Sequence, residues 1–517
     1  MSRTPNALLN RLRRCERGNA LPMLTVALVP ILMIVGAAVD FARVGLAQAR
    51  LQEAVDSAAL AGRRGMSRDD ISTAIPHVNA FMDFNFSKGL YGTGLLNIET
   101  TKPETGVVRV KASTTLDATL LAMIGKDRFA IEAVGEATQN LDNVDIVLVL
   151  DTTGSMGQYL DGRKKIETLK DAVQSLYDEL KPAQEQLKAQ NLRLRIGVVP
   201  YSSTVNVGKV LRSKSTSYVR GKDLKYYHWS RKGNNWEFGQ VSYNLQGYLG
   251  NGALGNKNGH SNHQNARWSG CIEERETLND ITANDSRNAA PADAYDLNID
   301  LIPNSDPATQ WTPYVYDPLN GDPNTNCPSE VTQLSELSQS DITTIKNELV
   351  AQGSTYHDIG MIWGTRLISN GGVFGTNNPN NYNGRPVNRH IIYMTDGEMS
   401  APTDYCAREL WSYCFPSKSD HSAAYSAYGI EAYDKRVGAS NSNDNNARHT
   451  KRFLIACNEA KTRNVSIWTI AFATGNDASL TKCASNDDQA FTVADSNTLI
   501  SKFAEIGRNI GALRISE

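Results

Sequence analysis

Between Ala20 and Val39 the chain reads ALPMLTVALVPILMIVGAAV, twenty residues without a charge. At about 1.5 Å per residue a helix of that length covers roughly 30 Å, the thickness of a hydrocarbon core. Nothing else in the sequence constrains the fold as much, because lipid admits only backbone whose polar groups are satisfied internally. Pro22 and Pro30 fall in the run, and membrane helices tolerate proline better than soluble ones. Arg3, Arg11, Arg13, Arg14 and Arg17 precede it, opposed only by Glu16. The positive-inside rule makes residues 1–19 a cytoplasmic basic tail and exports everything after Val39. A cleaved signal peptide and a buried core helix are the competing readings. The run exceeds a signal peptide's apolar region, and helical spacing continues through Phe41, Val44, Ala47, Leu51, Val55 and Ala58. That favours a retained anchor over residues 20–39.

The rest of the chain is not membrane-like. Mean hydropathy is −0.39, and 40% hydrophobic with 21% charged residues suits a folded chain. At about 150 residues per domain, the length implies roughly two to four domains. The balance of 53 Lys plus Arg against 55 Asp plus Glu leaves no electrostatic footprint for nucleic acid. The predicted topology divides the seven cysteines, with Cys15 inside and Cys271, Cys327, Cys406, Cys414, Cys457 and Cys483 outside. Six cysteines allow 15 connectivities. Pairing of neighbours (Cys271–Cys327, Cys406–Cys414, Cys457–Cys483) is the simplest expectation. Zinc is the rival reading, but there is no C-x-x-C and no histidine cluster beside the cysteines. His260 and His263, in an asparagine- and glycine-rich stretch, read as solvated loop residues.

Residues 40–139 read as a helix and a small α+β module. To about residue 65 the membrane helix continues amphipathically, with Asp40, Arg43, Gln48, Arg50, Gln52 and Glu53 on its polar faces. A helix near Ile71–Phe84 follows, then two alternating strands, Val107–Thr115 and Phe129–Ala137. Over residues 140–517 the pattern changes. Short apolar strands (Val144–Leu150, Leu194–Pro200, His390–Thr395, Val465–Phe472) alternate with helical stripes. The stripes are Ile166–Leu169–Val173–Leu176–Leu180, Ala447–Lys461, and Leu499–Phe503–Ile506–Ile510–Leu513. This predicts an α/β fold with a doubly wound, mostly parallel sheet. Two interruptions, near residues 208–336 and 402–445, are too long for bare loops. They read as insertions, the first a subdomain held by Cys271–Cys327.

Three short segments carry chemistry. Asp151-Thr152-Thr153-Gly154-Ser155 follows the first buried strand and leads into a helix. Gly353-Ser354-Thr355 precedes another helix, and Thr395-Asp396-Gly397 ends the strand HIIYMT. In an α/β fold such positions gather at the carboxyl ends of strands. A hard divalent cation takes about six oxygen ligands. Mg²⁺ fits, with Mn²⁺ or Ca²⁺ as alternatives. The hydroxyls of Thr153, Ser155 and Thr355 are neutral, and Asp151 and Asp396 can act largely through bound water. The ion would keep net positive character and an open position for an outside carboxylate. The candidate metal ligands are therefore Asp151, Thr153, Ser155, Thr355 and Asp396, and no nucleophile is required.

Other motifs fail. There is no G-x-x-x-x-G-K-[ST] and no H-E-x-x-H, and Ser155 lacks the first glycine of a nucleophile elbow. Asp322-x-Asn324-x-Asn326 begins like a calcium loop. Cys327 and Gln333 stand where that loop needs glycine and glutamate, so it reads as a turn.

The pattern D-x-[ST]-x-[ST], a distant Thr and T-D-G resembles the metal-ion-dependent adhesion site (MIDAS) of von Willebrand factor A domains. Thr153 replaces the commoner serine, and Ser354 is the neighbouring alternative to Thr355. The long N-terminal helix resembles that of pilin-like proteins. Residues 17–20 (RGNA), 39–43 (VDFAR), 51–61 (LQEAVDSAALA), 200–208 (PYSSTVNVG) and 355–364 (TYHDIGMIWG) together resemble the TadG-like proteins of Flp (tight adherence) pilus assembly. That resemblance implies a bacterial inner-membrane protein with one span and its A domain in the periplasm or at the surface. It also implies a pilus or surface partner supplying an acidic residue to the metal, and the failed catalytic motifs predict no enzymatic activity. Minor pilins of such systems are cut after a glycine and carry glutamate at the fifth mature position. Counted from Asn19 that position is Met23, so retention is expected. A structural role competes, as a pilin-like subunit or load-bearing cap whose metal site only stabilises. Oligomeric state leaves no mark on the sequence.

Overall fold

The computed structural model describes residues 20–66, 70–104, 106–138, 142–233, 235–255, 263–316, 322–403, 424–475 and 477–511. The basic tail with Cys15, the Cys406–Cys414 pair, His260 and Leu513 lie outside the described residues. The chain divides into two compact units near residue 140.

In the first unit, helix α1 (Ala20–Gly65) runs unbroken for 46 residues with Pro30 inside it. It is long and apolar enough to cross a membrane. Along its first half the large apolar side chains from Met23 to Val35 stand exposed. The second half is amphipathic, as the spacing predicts: Ala47, Leu51, Ala54, Val55 and Ala58 are buried. They share a core with helix α2 (Ile71–Asn85) and an antiparallel sheet of β1 (Asn97–Thr101), β2 (Val107–Asp117) and β3 (Arg128–Thr138). Asp70 caps α2 by accepting from the Ser72 amide at 2.9 Å. Strand β1 has no apolar alternation to announce it. It forms through its five-residue pairing with β2.

The second unit is built on β4 (Asn143–Asp151), α3 (Lys165–Ala189), β5 (Leu194–Tyr201), β6 (Thr332–Ser335), α4 (Gln339–Glu348), α5 (His357–Ile368), β7 (Arg385–Thr395), α6 (Ser442–Thr462), β8 (Val465–Phe472), β9 (Ala490–Val493) and α7 (Ser496–Gly511). The sheet order is β6-β5-β4-β7-β8-β9, parallel except for edge strand β6, and a two-residue strand, Asn381–Tyr382, pairs antiparallel with the start of β7. Every residue of β4 is buried. Ile146, Leu148 and Leu150 share one core with α3 and α7, while Val147 and Val149 share the other with α5 and α6. Asp145, the one charge in this strand's apolar run, lies opposite Arg195 of β5 in the register. Arg195 donates to both of its oxygens, at 2.8 and 2.7 Å. The chain leaves β4 for β5 and β6 on one side, then returns to β7 on the other. The carboxyl ends of β4 and β7 therefore flank the switch point where α/β folds form their crevice.

The first insertion is not a separate subdomain. Val210, Leu211, Leu224, Tyr226, Trp311 and Val315 join the same core as Val147, Val149, Ile359 and Trp363. Helix α5 is buried along its whole length, which requires chain on the side facing away from the sheet. The insertion supplies it. Residues 332–335, within the expected insertion, form β6 of the main sheet. His263 is buried rather than solvated. Asp322–Cys327 is a turn, with the Asn324 amide donating to Asp322 at 2.9 Å. Disulfides join Cys271 to Cys327 and Cys457 to Cys483.

Candidate functional site

Asp151 ends β4, and Thr395 ends β7 beside it, with Asp396 following. Thr153 donates its amide to Asp151 at 2.8 Å, turning the loop back on itself. The hydroxyls of Thr153 and Ser155 lie 2.9 Å apart, and Ser155 donates to Asp396 at 2.5 Å. Asp151, Thr153 and Asp396 are buried and Ser155 is half-buried. A backbone ladder holds the third segment against this loop: Gly154 donates to the Gly353 carbonyl at 2.9 Å, and Gln352 to the Thr152 carbonyl at 2.8 Å. Gly353 sits at φ +82°, and a Cβ there would approach the Ser202 and Ser203 hydroxyls at 3.0 and 3.1 Å. Only glycine takes that conformation and approach without strain. Thr355, also buried, follows. A Cβ built on Gly397 would lie 3.7 Å from the Ser155 hydroxyl and 3.9 Å from that of Thr355, so both face the same small space. The five sequence-predicted oxygens thus lie on three adjoining loops at one end of the sheet.

Burial, and secondarily the nearby Asp396, pushes the Asp151 carboxyl up to about 7. Among the described residues Asp151 has no cationic partner. Besides the Thr153 amide, its contacts are hydroxyls, from Thr395 at 2.6 Å and Tyr201 at 3.5 Å. Behind it Tyr393 donates to the Tyr201 hydroxyl at 2.6 Å, and a His357 ring nitrogen stands 3.2 Å from the Thr395 hydroxyl. This second row fixes Asp151 from the side away from the loops. Two carboxylates beside three neutral hydroxyls form an all-oxygen donor set, which suits a hard cation such as Mg²⁺. Among the described residues there is no group of three or more His, Cys, Asp or Glu to make a softer site.

Sequence reasoning missed Lys165. Its ammonium lies 3.0 Å from the second Asp396 oxygen, and the side chain is nearly buried. The metal loop runs into one turn of 3-10 helix, Gly154–Gly157, and not straight into α3. A two-residue-strand hairpin, Tyr159–Lys164, intervenes and turns at Asp161-Gly162, both at positive φ. That turn returns the chain to the site, so Lys165 starts α3 against Asp396. An Asp-Gly pair is the sequence signal for such a hairpin.

A mostly parallel sheet with helices on both faces, and hydroxyl and carboxylate loops at its switch point, makes the larger unit a doubly wound α/β domain. At the other end of the chain, residues 18–65 match the family described as "Putative Flp pilus-assembly TadE/G-like". No curated protein matches the chain. Similar solved structures include the open conformation of the pilus adhesin SpaC from Lactobacillus rhamnosus GG, at 14% identity and TM-score 0.34, over 80% of this chain and 33% of that one. The vWF domain of the type V pili tip protein Mfa5 from Porphyromonas gingivalis matches at 13% identity and TM-score 0.33, over 73% and 98%. Proximal thread matrix protein 1 from the mussel byssus, with a zinc-occupied MIDAS motif, matches at 12% identity and TM-score 0.19, over 72% and 97%. The chain spans about a third of the SpaC chain's length.

Proposed function

We propose that this protein is a membrane-anchored, non-enzymatic component of pilus assembly or adhesion that captures a partner protein through a divalent cation. Residues 20–39 hold it in the inner membrane with the N-terminus cytoplasmic, and the A-type domain stands in the periplasm or at the surface. The observation that carries the reading is the convergence of Asp151, Thr153, Ser155, Thr355 and Asp396 on one end of the sheet. A bound cation, Mg²⁺ or the closely related Mn²⁺, would supply a Lewis-acid position for a carboxylate of the partner. The chain's own part is to hold the oxygens: Asp151 braced by Thr395 and Tyr201, Ser155 by Asp396, and Thr355 by the Gly353–Gly154 ladder.

The test is Mn²⁺ binding to the detergent-solubilised full chain, followed by electron paramagnetic resonance. One saturable site is expected. Asp151→Ala should abolish it while the circular dichroism of the domain persists. Pilus-component capture in cells should disappear with the same variant and with EDTA. Capture that survives both would leave the structural role, a load-bearing cap with a stabilising site, as the better account.

A further inference from the structure

The loop joining β2 to β3, residues 118–127, wraps α1. Asp40, 1% exposed, accepts hydrogen bonds from the amides of Thr119 at 3.0 Å and of Leu120 and Leu121 at 2.9 Å each, and from the Thr119 hydroxyl. The Arg43 guanidinium lies 3.6 Å from the same carboxylate. One turn earlier, Gly36 admits Leu120: a Cβ at position 36 would stand 2.7 Å from the Leu120 Cβ. The loop is therefore fastened to α1 between Gly36 and Asp40, at the last turn of the twenty-residue uncharged run.

At that level the loop is apolar where a soluble protein would be polar. Met123 is 84% exposed, Leu120 46%, and Phe41 on α1 60%. Phe41 pairs with Phe129 at 5.8 Å between ring centroids, and the Lys126 ammonium stands 5.5 Å from the Phe129 ring. Lys126 and Arg128 are exposed, as are Asp127 and Asp117, which Arg128 meets at 2.9 Å. Aliphatic tips with aromatic rings and basic side chains behind them match the layering of a bilayer interface: hydrocarbon, then carbonyl region, then anionic headgroups.

We propose that residues 118–128 are a membrane foot. Leu120 and Met123 enter the outer edge of the hydrocarbon, while Lys126, and Arg128 beside its partner Asp117, reach the phospholipid headgroups. The occupant of this apolar surface is the bilayer itself, because the surface is continuous with the exposed apolar flank of α1. Asp40 gives the attachment its stiffness, since a buried carboxylate bound to three backbone amides fixes both the loop and the helix turn. The foot makes a second point of contact beside the single span, and helix tilt is set by such interfacial anchors. This inference rests on the membrane-anchor reading above.

The test places a photoreactive benzophenone side chain at Met123, at Leu28 or at Ile75 of the full chain. Each variant is reconstituted in vesicles of phosphatidylethanolamine and phosphatidylglycerol, irradiated, and its adducts identified by mass spectrometry. Met123 projects into solvent, so its replacement leaves the core intact. Ile75 belongs to α2, near the Gly62 end of α1, about 33 Å along the helix from Asp40 at 1.5 Å per residue. Lipid adducts are expected at Leu28 and Met123 and none at Ile75. Lipid adducts at Leu28 with none at Met123, or with protein adducts there to a second copy, would overturn the foot and leave the anchor standing. No lipid adducts at Leu28 would overturn the anchor and the foot together.

Discussion

The two faces of the main sheet are sealed by different means. On one face Ile146, Leu148 and Leu150 meet Ile166, Leu169 and Val173 of α3 and Leu499, Phe503 and Ile506 of α7, a packing almost wholly aliphatic. On the other face the insertion docks on α5 and α6 through buried charge. Glu274 of the insertion accepts from Arg366 at 2.9 and 3.0 Å and from the indoles of Trp363 and Trp311 at 2.5 and 3.2 Å. Arg452 of α6 meets Asp296 of the insertion at 2.8 Å, both fully buried. Apolar contact alone is non-directional. Two helices next in sequence to their strands need no more than that. A segment of more than a hundred residues must also find its register, and fixed ion pairs provide it. Buried pairs add little net stability over apolar packing, but breaking one leaves an uncompensated charge.

The largest effect should therefore come from Arg366→Met, which leaves the buried Glu274 charge without its salt-bridge partner at a cost of about 3–5 kcal/mol. Leu169→Ala on the aliphatic face should cost about 3 kcal/mol by cavity formation. Equilibrium urea unfolding of both variants checks the contrast. The double variant Glu274→Gln/Arg366→Met should recover part of the loss, whereas no recoupling partner exists for Leu169. If Arg366→Met costs less than about 1 kcal/mol, the insertion is not held by charge and the contrast between the faces fails.

Next in size is the disulfide that closes the insertion. Cys271→Ser/Cys327→Ser should lose about 2–4 kcal/mol by the loop-entropy account. It should also reach the site, because the Gln352 side chain donates to the Cys327 carbonyl while its amide donates to Thr152. Weaker Mn²⁺ binding in this variant, with the sheet still folded by circular dichroism, would show that the insertion supports the Thr355 loop. Unchanged binding would confine the disulfide's role to docking.

The aliphatic face was legible because its signals are local. The stripe Ile166–Leu169–Val173–Leu176–Leu180 and the β-branched run at Val144–Leu150 each announce an element within a few residues, and the structure places them there. The polar face was not. Arg366 and Glu274 are 92 residues apart, and no periodicity relates them, so the insertion reads as a separate subdomain until its core is seen. Strands β1 and β6 escaped for a related reason, since each is an edge defined by pairing with a neighbour. In the site, residue types and strand ends mark Asp151, Thr153, Ser155, Thr355 and Asp396. The braces Tyr201, Tyr393 and His357 carry no local signal, because what sets their role is which strand lies beside which.

Lys165 sharpens the comparison at the point where the aliphatic face meets the site. It starts α3, yet its ammonium sits on Asp396. A fixed positive charge opposes a divalent cation a few ångströms away, so Lys165→Met should tighten Mn²⁺ binding by roughly tenfold. Weaker binding would mean instead that Lys165 organises Asp396 for the metal.

The smallest effect separates the faces by pH. Glu273, in the insertion, accepts from the Tyr425 hydroxyl at 2.5 Å and lies 3.5 Å from Arg436. Burial pushes its carboxyl up to about 7, with Arg436 pulling the other way. A carboxyl whose folded pKa is raised binds its proton more tightly in the native state than in the unfolded chain, where it titrates near 4.5. Its contribution is then fully present below about pH 4.5 and is lost as pH rises through about 7. Arg436 and Tyr425 both favour the ionised form and limit the loss. Glu273→Gln should therefore flatten the fall in urea midpoint between pH 5 and pH 8 relative to the unsubstituted chain. Leu169→Ala should shift both midpoints down and leave their difference unchanged, because it removes no titrating group.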